Sequence, residues 1–291
     1  MLSNLLPLMP PCLRYVEEFG GGASVLLNRE PVEVETYNDL NSALADFFRV
    51  VADPDLFSQF KRRVEALPVS RELWREARAT WEDETDRVRR VAKWFVVARQ
   101  SFGGWFGRSV GFVRTTSRLG KASPCSLWLS CLRALPEIHA RIQRVQVENN
   151  DWRKVLRAYD TPETLHYLDP PYVASTRKGG EYKHEMTDDD HAELVEALLS
   201  IEGMAVLSGY PNETYKPLER AGWERRDFKT ACYAAGRTRA SGLLGKGAAL
   251  AKQARTESVW RNPAALAAWG AHGGDMLEHV GAWNNPTEAT E

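Results

Sequence analysis

Two regions of alternating strand and helix pattern, residues 1–52 and 146–262, are separated by a stretch, 53–145, in which strand periodicity is absent. Strands that alternate with helices argue for a parallel α/β sheet. Such a break argues for one layered domain interrupted by an insert of different construction. In the first region, residues 13–16 form a short apolar and aromatic run that stops at Gly20-Gly21-Gly22. Residues 32–37 alternate with period two, as a half-buried strand does. Asn38-Asp39-Leu40-Asn41 then offers polar caps to a helix over about 43–48. In the later region, 145–148, 164–168 and 204–207 read as strands and 152–159 as a helix. A second helix, over about 188–199, carries Leu194, Val195, Leu198 and Leu199 on one stripe. From about Asn262 the Ala-, Gly- and Asn-rich sequence reads as a loosely held tail, 263–291.

The insert differs in charge as well as in periodicity. Asp53-Pro54 breaks the preceding helix, and Arg-rich, Trp-containing helical stretches follow. The formal net charge of the 291-residue chain is −1, but residues 53–145 hold 18 basic and 10 acidic residues. The insert is therefore +8 and the remainder −9. A basic face of that kind supplies the sequence-independent part of an affinity for nucleic acid, although a solvated helical surface has the same composition. No run of 18 apolar residues occurs, so no membrane span is expected. The first residues lack the pattern of a secretory signal, and a cytoplasmic protein is expected. Cys12, Cys125, Cys131 and Cys232 are scattered, which supports neither a zinc site nor a disulfide framework and leaves buried free thiols as the expectation.

Asp169-Pro170-Pro171-Tyr172 follows directly on the strand 164–168, at the edge where open α/β sheets place their ligands. These four residues combine a carboxylate, a carbonyl held by the fixed φ of proline, and a ring. An exocyclic amine on a nucleobase needs such partners, because its lone pair is delocalised into the ring. A carboxylate accepts one N–H, a rigid carbonyl accepts the other, and the lone pair is aimed at an electrophile. The ring stacks on a base swung out of its helix. A strand-ending turn with a core tyrosine is the plain alternative for the tetrapeptide taken alone.

A second signal is Glu17-Glu18-Phe19-Gly20-Gly21-Gly22-Ala23-Ser24, after the first strand. Glycines let a backbone approach a ligand closely. Asp39 lies 17 residues past Gly22, at the end of the next strand, where a carboxylate can hold ribose hydroxyls. The pair suits a nucleoside cofactor; an ordinary turn and a capping aspartate would look the same.

Taken in order, these motifs resemble the Dam-like, D12-class family of DNA adenine-N6 methyltransferases of bacteria and phages, over roughly residues 5–262. Phe19-Gly20-Gly21-Gly22 is similar to the family's cofactor motif and Tyr37-Asn38-Asp39-Leu40-Asn41 to its acidic loop. Asn150-Asp151-Trp152 resembles the motif that flanks the cofactor adenine, and Asp169-Pro170-Pro171-Tyr172 the catalytic motif. Arg255-Thr256-Glu257-Ser258-Val259-Trp260 resembles a late segment that packs back on the sheet.

The resemblance implies a doubly wound, mostly parallel α/β methyltransferase domain with an inserted, mainly helical target-recognition domain. The expected organisation is a first methyltransferase part, 1–52, the insert, 53–145, and a second methyltransferase part, 146–262. S-adenosylmethionine is the implied methyl donor, held by Glu17, Phe19, Gly20, Gly22, Asp39, Asp151, Trp152 and Asp169, with no metal. Asp169, Pro170, Pro171 and Tyr172 are the implied catalytic residues. Double-stranded DNA is the implied partner, bound by a monomer.

Ala98-Arg99-Gln100-Ser101-Phe102-Gly103-Gly104 resembles the family's Asn-Arg-x-x-Phe-x-Gly stretch, with Ala98 where asparagine is common. Residues 99–121 contain no acidic residue. Arg99, Ser101, Phe102, Arg108, Arg114, Arg118 and Lys121 are the expected DNA-facing set, with Trp105, Phe106 and Phe112 interleaved. Trp94 or Trp105 individually fits the core of a small domain. Two departures stand out. Glu18 occupies a place where the family usually has proline, and no aromatic-x-Gly-Gly-Lys motif lies in residues 1–15.

Alternatives of other kinds are a DNA-binding protein of the same fold with impaired catalysis, and a methyltransferase acting on cytosine N4, RNA adenine or protein glutamine. His184-Glu185 with His191 lacks metalloprotease spacing, and Thr187-Asp188-Asp189-Asp190 reads as a helix start. Gly242-Leu243-Leu244-Gly245-Lys246-Gly247 lacks the spacing of a phosphate loop. Arg237, Arg239 and Lys246 are further expected contacts to a DNA backbone.

Overall fold

The computed structural model describes residues 2–101, 112, 117–118, 121–173, 184–231 and 254–271. The fold is mixed α/β, with seven strands in a mostly parallel sheet. The chain divides into two compact units. One comprises Met1–Val34, Arg153–Arg177 and Glu185–Glu291, and the other comprises Glu35–Trp152 and Lys178–His184.

The first unit is built on β1 (Arg14–Glu17), β6 (Thr164–Leu168), β7 (Met204–Gly209), β9 (Ala254–Arg261) and β8 (Glu224–Ala231), in that spatial order. β1, β6 and β7 run parallel, and β9 and β8 are antiparallel. β6 and β7 are buried at every position, as strands covered on both faces are. Behind them, α9 (Asp188–Ser200) buries His191, Leu194, Val195 and Leu198. Its start follows the sequence reading. The Thr187 hydroxyl accepts from the Asp190 backbone N–H while the Asp190 carboxylate accepts from the Thr187 backbone N–H. Arg153, on α8 (Trp152–Tyr159), bridges to Asp190 and Glu193 and ties α8 to α9.

Residues 263–271, expected within a loose tail, instead form the helix α11 (Pro263–Ala271). Asn262 explains the difference. Its side-chain oxygen accepts from Ala265 N–H and from Ala205 N–H, so it caps α11 and anchors it to β7 at once. Pro263 stands at the first helical position, where its missing N–H costs nothing.

In the second unit, β2 (Val34–Asn38) pairs in parallel with β5 (Val145–Glu148). Between them the chain is helical: α3 (Ser42–Ala52), α4 (Pro54–Glu65), α5 (Arg71–Thr80), α6 (Arg87–Gln100) and α7 (Ser123–Ile142). A two-residue pairing of β3 (Ser117–Arg118) with β4 (Lys121–Ala122) precedes α7. Asn41 caps α3, and Asp53 both ends α3 and caps α4 ahead of Pro54, as the sequence suggests. The core of this unit is aromatic. Phe47 lies against Phe60, Trp94 and Phe95, and Phe95 against Trp128. Each such pair adds about 0.5–1.5 kcal/mol beyond its buried area. Trp94 is thus a core residue. Glu35 on β2 is fully buried and accepts two bonds from the Arg141 guanidinium, which fastens α7 to the strand.

Candidate active site

The C-terminal ends of β1 and β6 lie side by side, because Glu17 is in register with Tyr167. After β1 the chain turns through Gly20-Gly21-Gly22 into the short helix α2 (Ser24–Asn28). Gly21 has φ +50°, which only glycine adopts cheaply, and Ala23 follows in the same left-handed region. A Cβ on Gly21 would meet nothing within 4 Å, and one on Gly22 only the Ser24 hydroxyl at 3.9 Å. The loop therefore borders open space, with Phe19 and Gly20 half-buried and Gly22 exposed.

Glu17 shapes that loop from inside. It is 1% exposed, and its Oε1 accepts from the Tyr15 hydroxyl at 2.8 Å and from Leu26 N–H in α2 at 2.7 Å. Burial pushes its carboxyl up to about 8, against the pull of those two hydrogen bonds and of Arg29. Glu17, expected as a cofactor contact, braces the loop from beneath through these two bonds.

Glu18 points into the interior, where the charge finds partners. Its Oε1 accepts from His166 Nδ1 at 2.6 Å, and His166 Nε2 lies 3.6 Å from Asp160. Burial pulls the His166 value down, but the flanking carboxylates outweigh it and push it up to about 9. Asp160 also accepts from Glu202 and Gly203 N–H. Gly203 is required there, since a Cβ would stand 2.9 Å from two carbonyl oxygens. Glu18 in place of proline thus belongs to a triad built with β6, in which Glu18 and His166 are buried and Asp160 half-buried.

At the end of β6, Asp169 is solvent-exposed and Pro170 buried, with Pro171 and Tyr172 half-buried. Surrounding protein nevertheless desolvates the Asp169 carboxyl and pushes it up to about 7. The charge of Glu257 adds to the rise, and a hydrogen bond from the Tyr172 hydroxyl opposes it. Solvent that reaches this exposed residue moderates the rise. The Tyr172 ring lies 4.4 Å from that of Tyr210, tilted by 53°. Tyr210, one residue past β7, escaped the sequence reading; the signal was an aromatic residue just beyond a strand at this edge.

In the second unit, β2 and β5 end together. Asn38 exchanges hydrogen bonds with Asn150, and the Asn149 amide donates to the Asp39 carbonyl. Asp39 accepts from Asn41 N–H at 2.7 Å, and both Asp39 and Asp151 are half-buried. Trp152 is buried.

The basic tract is described in part. Arg99 is exposed at the end of α6. Ser101, expected to face DNA, is 3% exposed and accepts a bond from the Trp74 indole N–H at 3.0 Å. Phe112 lies near Trp74 with the Arg71 guanidinium over its ring. Arg118 is in register with Lys121 in the β3–β4 pairing. Phe102, Trp105, Phe106, Arg108, Arg114, Arg237, Arg239, Lys246 and the 242–247 glycine segment lie outside the described residues. So does Cys232, whereas Cys12, Cys125 and Cys131 are half-buried, not fully buried as expected. His191 is buried and bonded to the Tyr215 hydroxyl, a structural role. No helix among the described residues is long and apolar enough to cross a membrane.

The model of the D12 class N6 adenine-specific DNA methyltransferases matches residues 1–214. The chain belongs to this family. Its glycine loop, its Asp-Pro-Pro-Tyr turn and the helical insert all fall within the matched span. Family membership makes the chemistry methyl transfer to adenine and the substrate DNA. No curated protein matches the chain.

Proposed function

We propose that the protein transfers a methyl group from S-adenosylmethionine to the N6 amine of an adenine swung out of a specific duplex sequence. The observation that carries this reading is the pairing of β1 with β6, which brings the open glycine loop and Asp169 to one edge of the sheet. The glycine loop fits the donor, being a backbone turn that borders open space. Gly20 and Gly22 would approach its methionine portion, Asp39 its ribose hydroxyls, and Asp151 with Trp152 its adenine. When bound, the donor supplies an electrophilic methyl on a sulfonium.

Asp169 accepts one N–H of the amine and the Pro170 carbonyl the other, which localises the nitrogen lone pair. Tyr172 and Tyr210 supply rings for the extruded base, so Tyr172 must give up its hydrogen bond to Asp169 when the base enters. The insert, 53–145, is proposed as the target-recognition domain, with Arg99, Arg108, Arg114, Arg118 and Lys121 on the DNA; Ser101 contributes to its core. Tritium transfer from labelled donor into adenine-only and cytosine-only duplexes tests the reading. Label is expected in the adenine duplex alone. Asp169→Asn should lower the rate by about 10³ or more, as loss of an oriented polar group in a catalytic site does. Label in the cytosine duplex, or full activity in Asp169→Asn, would overturn it.

A further inference from the structure

Strand register sorts the side chains at the active edge onto two faces. Glu17 pairs with Tyr167, Leu168 with Leu207, and Ser208 with Val259. Alternation along each strand then puts Tyr15 and Glu17 of β1, Tyr167 of β6, Ser208 of β7 and Glu257 of β9 on one face. Asp169, one residue beyond β6, continues the Tyr167 side. The pairs that touch agree with this assignment: Tyr15 bonds Glu17, and Tyr167 bonds Ser208 at 3.1 Å. Val16, His166 and Trp260 occupy the other face. By continuation of that register Glu257 stands opposite Tyr210, one alternation beyond Ser208, diagonal to Asp169 and about 12 Å away along the sheet. It is half-buried, on a strand that contributes nothing else to the catalytic motif.

We propose that Glu257 is a positioning residue for methyl transfer, whose negative charge on the Asp169 face of the sheet makes Asp169 the acceptor of the proton that the methylated amine must lose. This rests on the reading of Asp169 as the catalytic carboxylate. The step balances without a co-reactant. The amine lone pair forms the new N–C bond, and the S–C bond breaks with its electrons left on sulfur. The nitrogen is then cationic, and one of its protons passes to the Asp169 carboxylate and from there to solvent past Glu257. An isolated exposed aspartate is too weak a base to hold that proton for long; Asp169, raised toward neutrality, is matched to the task.

The groups that face Asp169 are Glu257 on β9, Glu17 on β1, Tyr167 on β6, Tyr172 in its own turn and Tyr215 after β7. Burial holds Glu17 protonated near neutral pH and keeps both Tyr167 and Tyr215 neutral. Among the described residues, the charge of Glu257 is thus the one that acts on Asp169 across the sheet.

The test is a carbon-13 titration of the Asp169 carboxyl in the free full-length protein, beside the pH dependence of single-turnover methylation of unmethylated DNA. In Glu257→Gln the Asp169 midpoint and the acidic limb of the rate profile should both move down by roughly 0.3–1 pH unit, the range expected for a charge at that distance. Glu257→Asp, which keeps the charge, should retain the native midpoint. If Glu257→Gln is poorly folded, Glu257→Ala is read in the same way. A midpoint and limb that stay put in the neutral variants, with Asp169→Asn inactive, would overturn the role of Glu257 alone. Full activity in Asp169→Asn would instead remove the reading on which it rests.

Discussion

At the scale of single residues, the tetrapeptide proposed as catalytic was legible because it is local, and its neighbours were not because they are defined by register. Asp169 and Tyr172 stand in one turn of chain, and a strand running into Asp-Pro-Pro-Tyr declares its place on the sheet edge. Glu18, His166 and Asp160 are far apart in sequence and meet only once β1 pairs with β6. Glu18 stood out in the sequence only as a departure from the family's usual proline; in the fold it is 1% exposed with a cationic partner. The sign of that partnership sets a pH dependence. The His166 value is raised from 6.5 to about 9, so its contribution to stability is complete below pH 6.5 and is lost as pH climbs through 9. Melting temperature is expected to fall across that window. In His166→Gln the fall should flatten, and the variant should be less stable by about 3–5 kcal/mol near neutral pH because Glu18 is left buried without its cation. Parallel melting curves of the two proteins from pH 6 to 9.5 check both expectations.

At the scale of elements, the sequence marked strands and helices best where periodicity and punctuation agree. β5, α8 and β6 fall on the expected residues, and α9 begins at its predicted cap. The β8–β9 hairpin was harder to see. β8 reads Glu-Arg-Arg-Asp-Phe-Lys-Thr-Ala, a charged sequence suited to the last strand of a sheet and poor in the apolar alternation that identifies inner strands. α11 was hidden by its composition: an alanine-rich stretch has no amphipathic stripe, and its start depends on Asn262 reaching back to β7. For α9 the cap is separable from packing, since Thr187 is exposed. Thr187→Ala removes the hydroxyl that accepts the Asp190 N–H and should lower stability by about 1 kcal/mol, read by urea titration, with methylation unchanged. A neutral result would mean that Arg153, through its contacts to Asp190 and Glu193, fixes the start of α9 unaided.

At the scale of the whole molecule, a near-neutral chain is split into a +8 insert and a −9 remainder. The second unit's aromatic core and its buried Glu35–Arg141 pair give that unit an interior of its own, and arginines of the insert such as Arg99 stand exposed on its surface. The account assigns that surface to DNA phosphates. Replacing Arg114 and Arg118 together by alanine should then weaken DNA binding and reduce the slope of log affinity against log salt by about 2, near 0.9 for each lost phosphate contact. An unchanged slope would move the DNA-facing surface elsewhere. All of this serves one claim, that Asp169 directs methylation of adenine, and the most direct measurement is modified-base sequencing of DNA from a methylation-deficient host expressing the native chain or Asp169→Asn. The account predicts N6-methyladenine at one recurring sequence in the first host and none in the second. Unmodified adenine in the presence of folded native protein, or equal modification in both hosts, would contradict it.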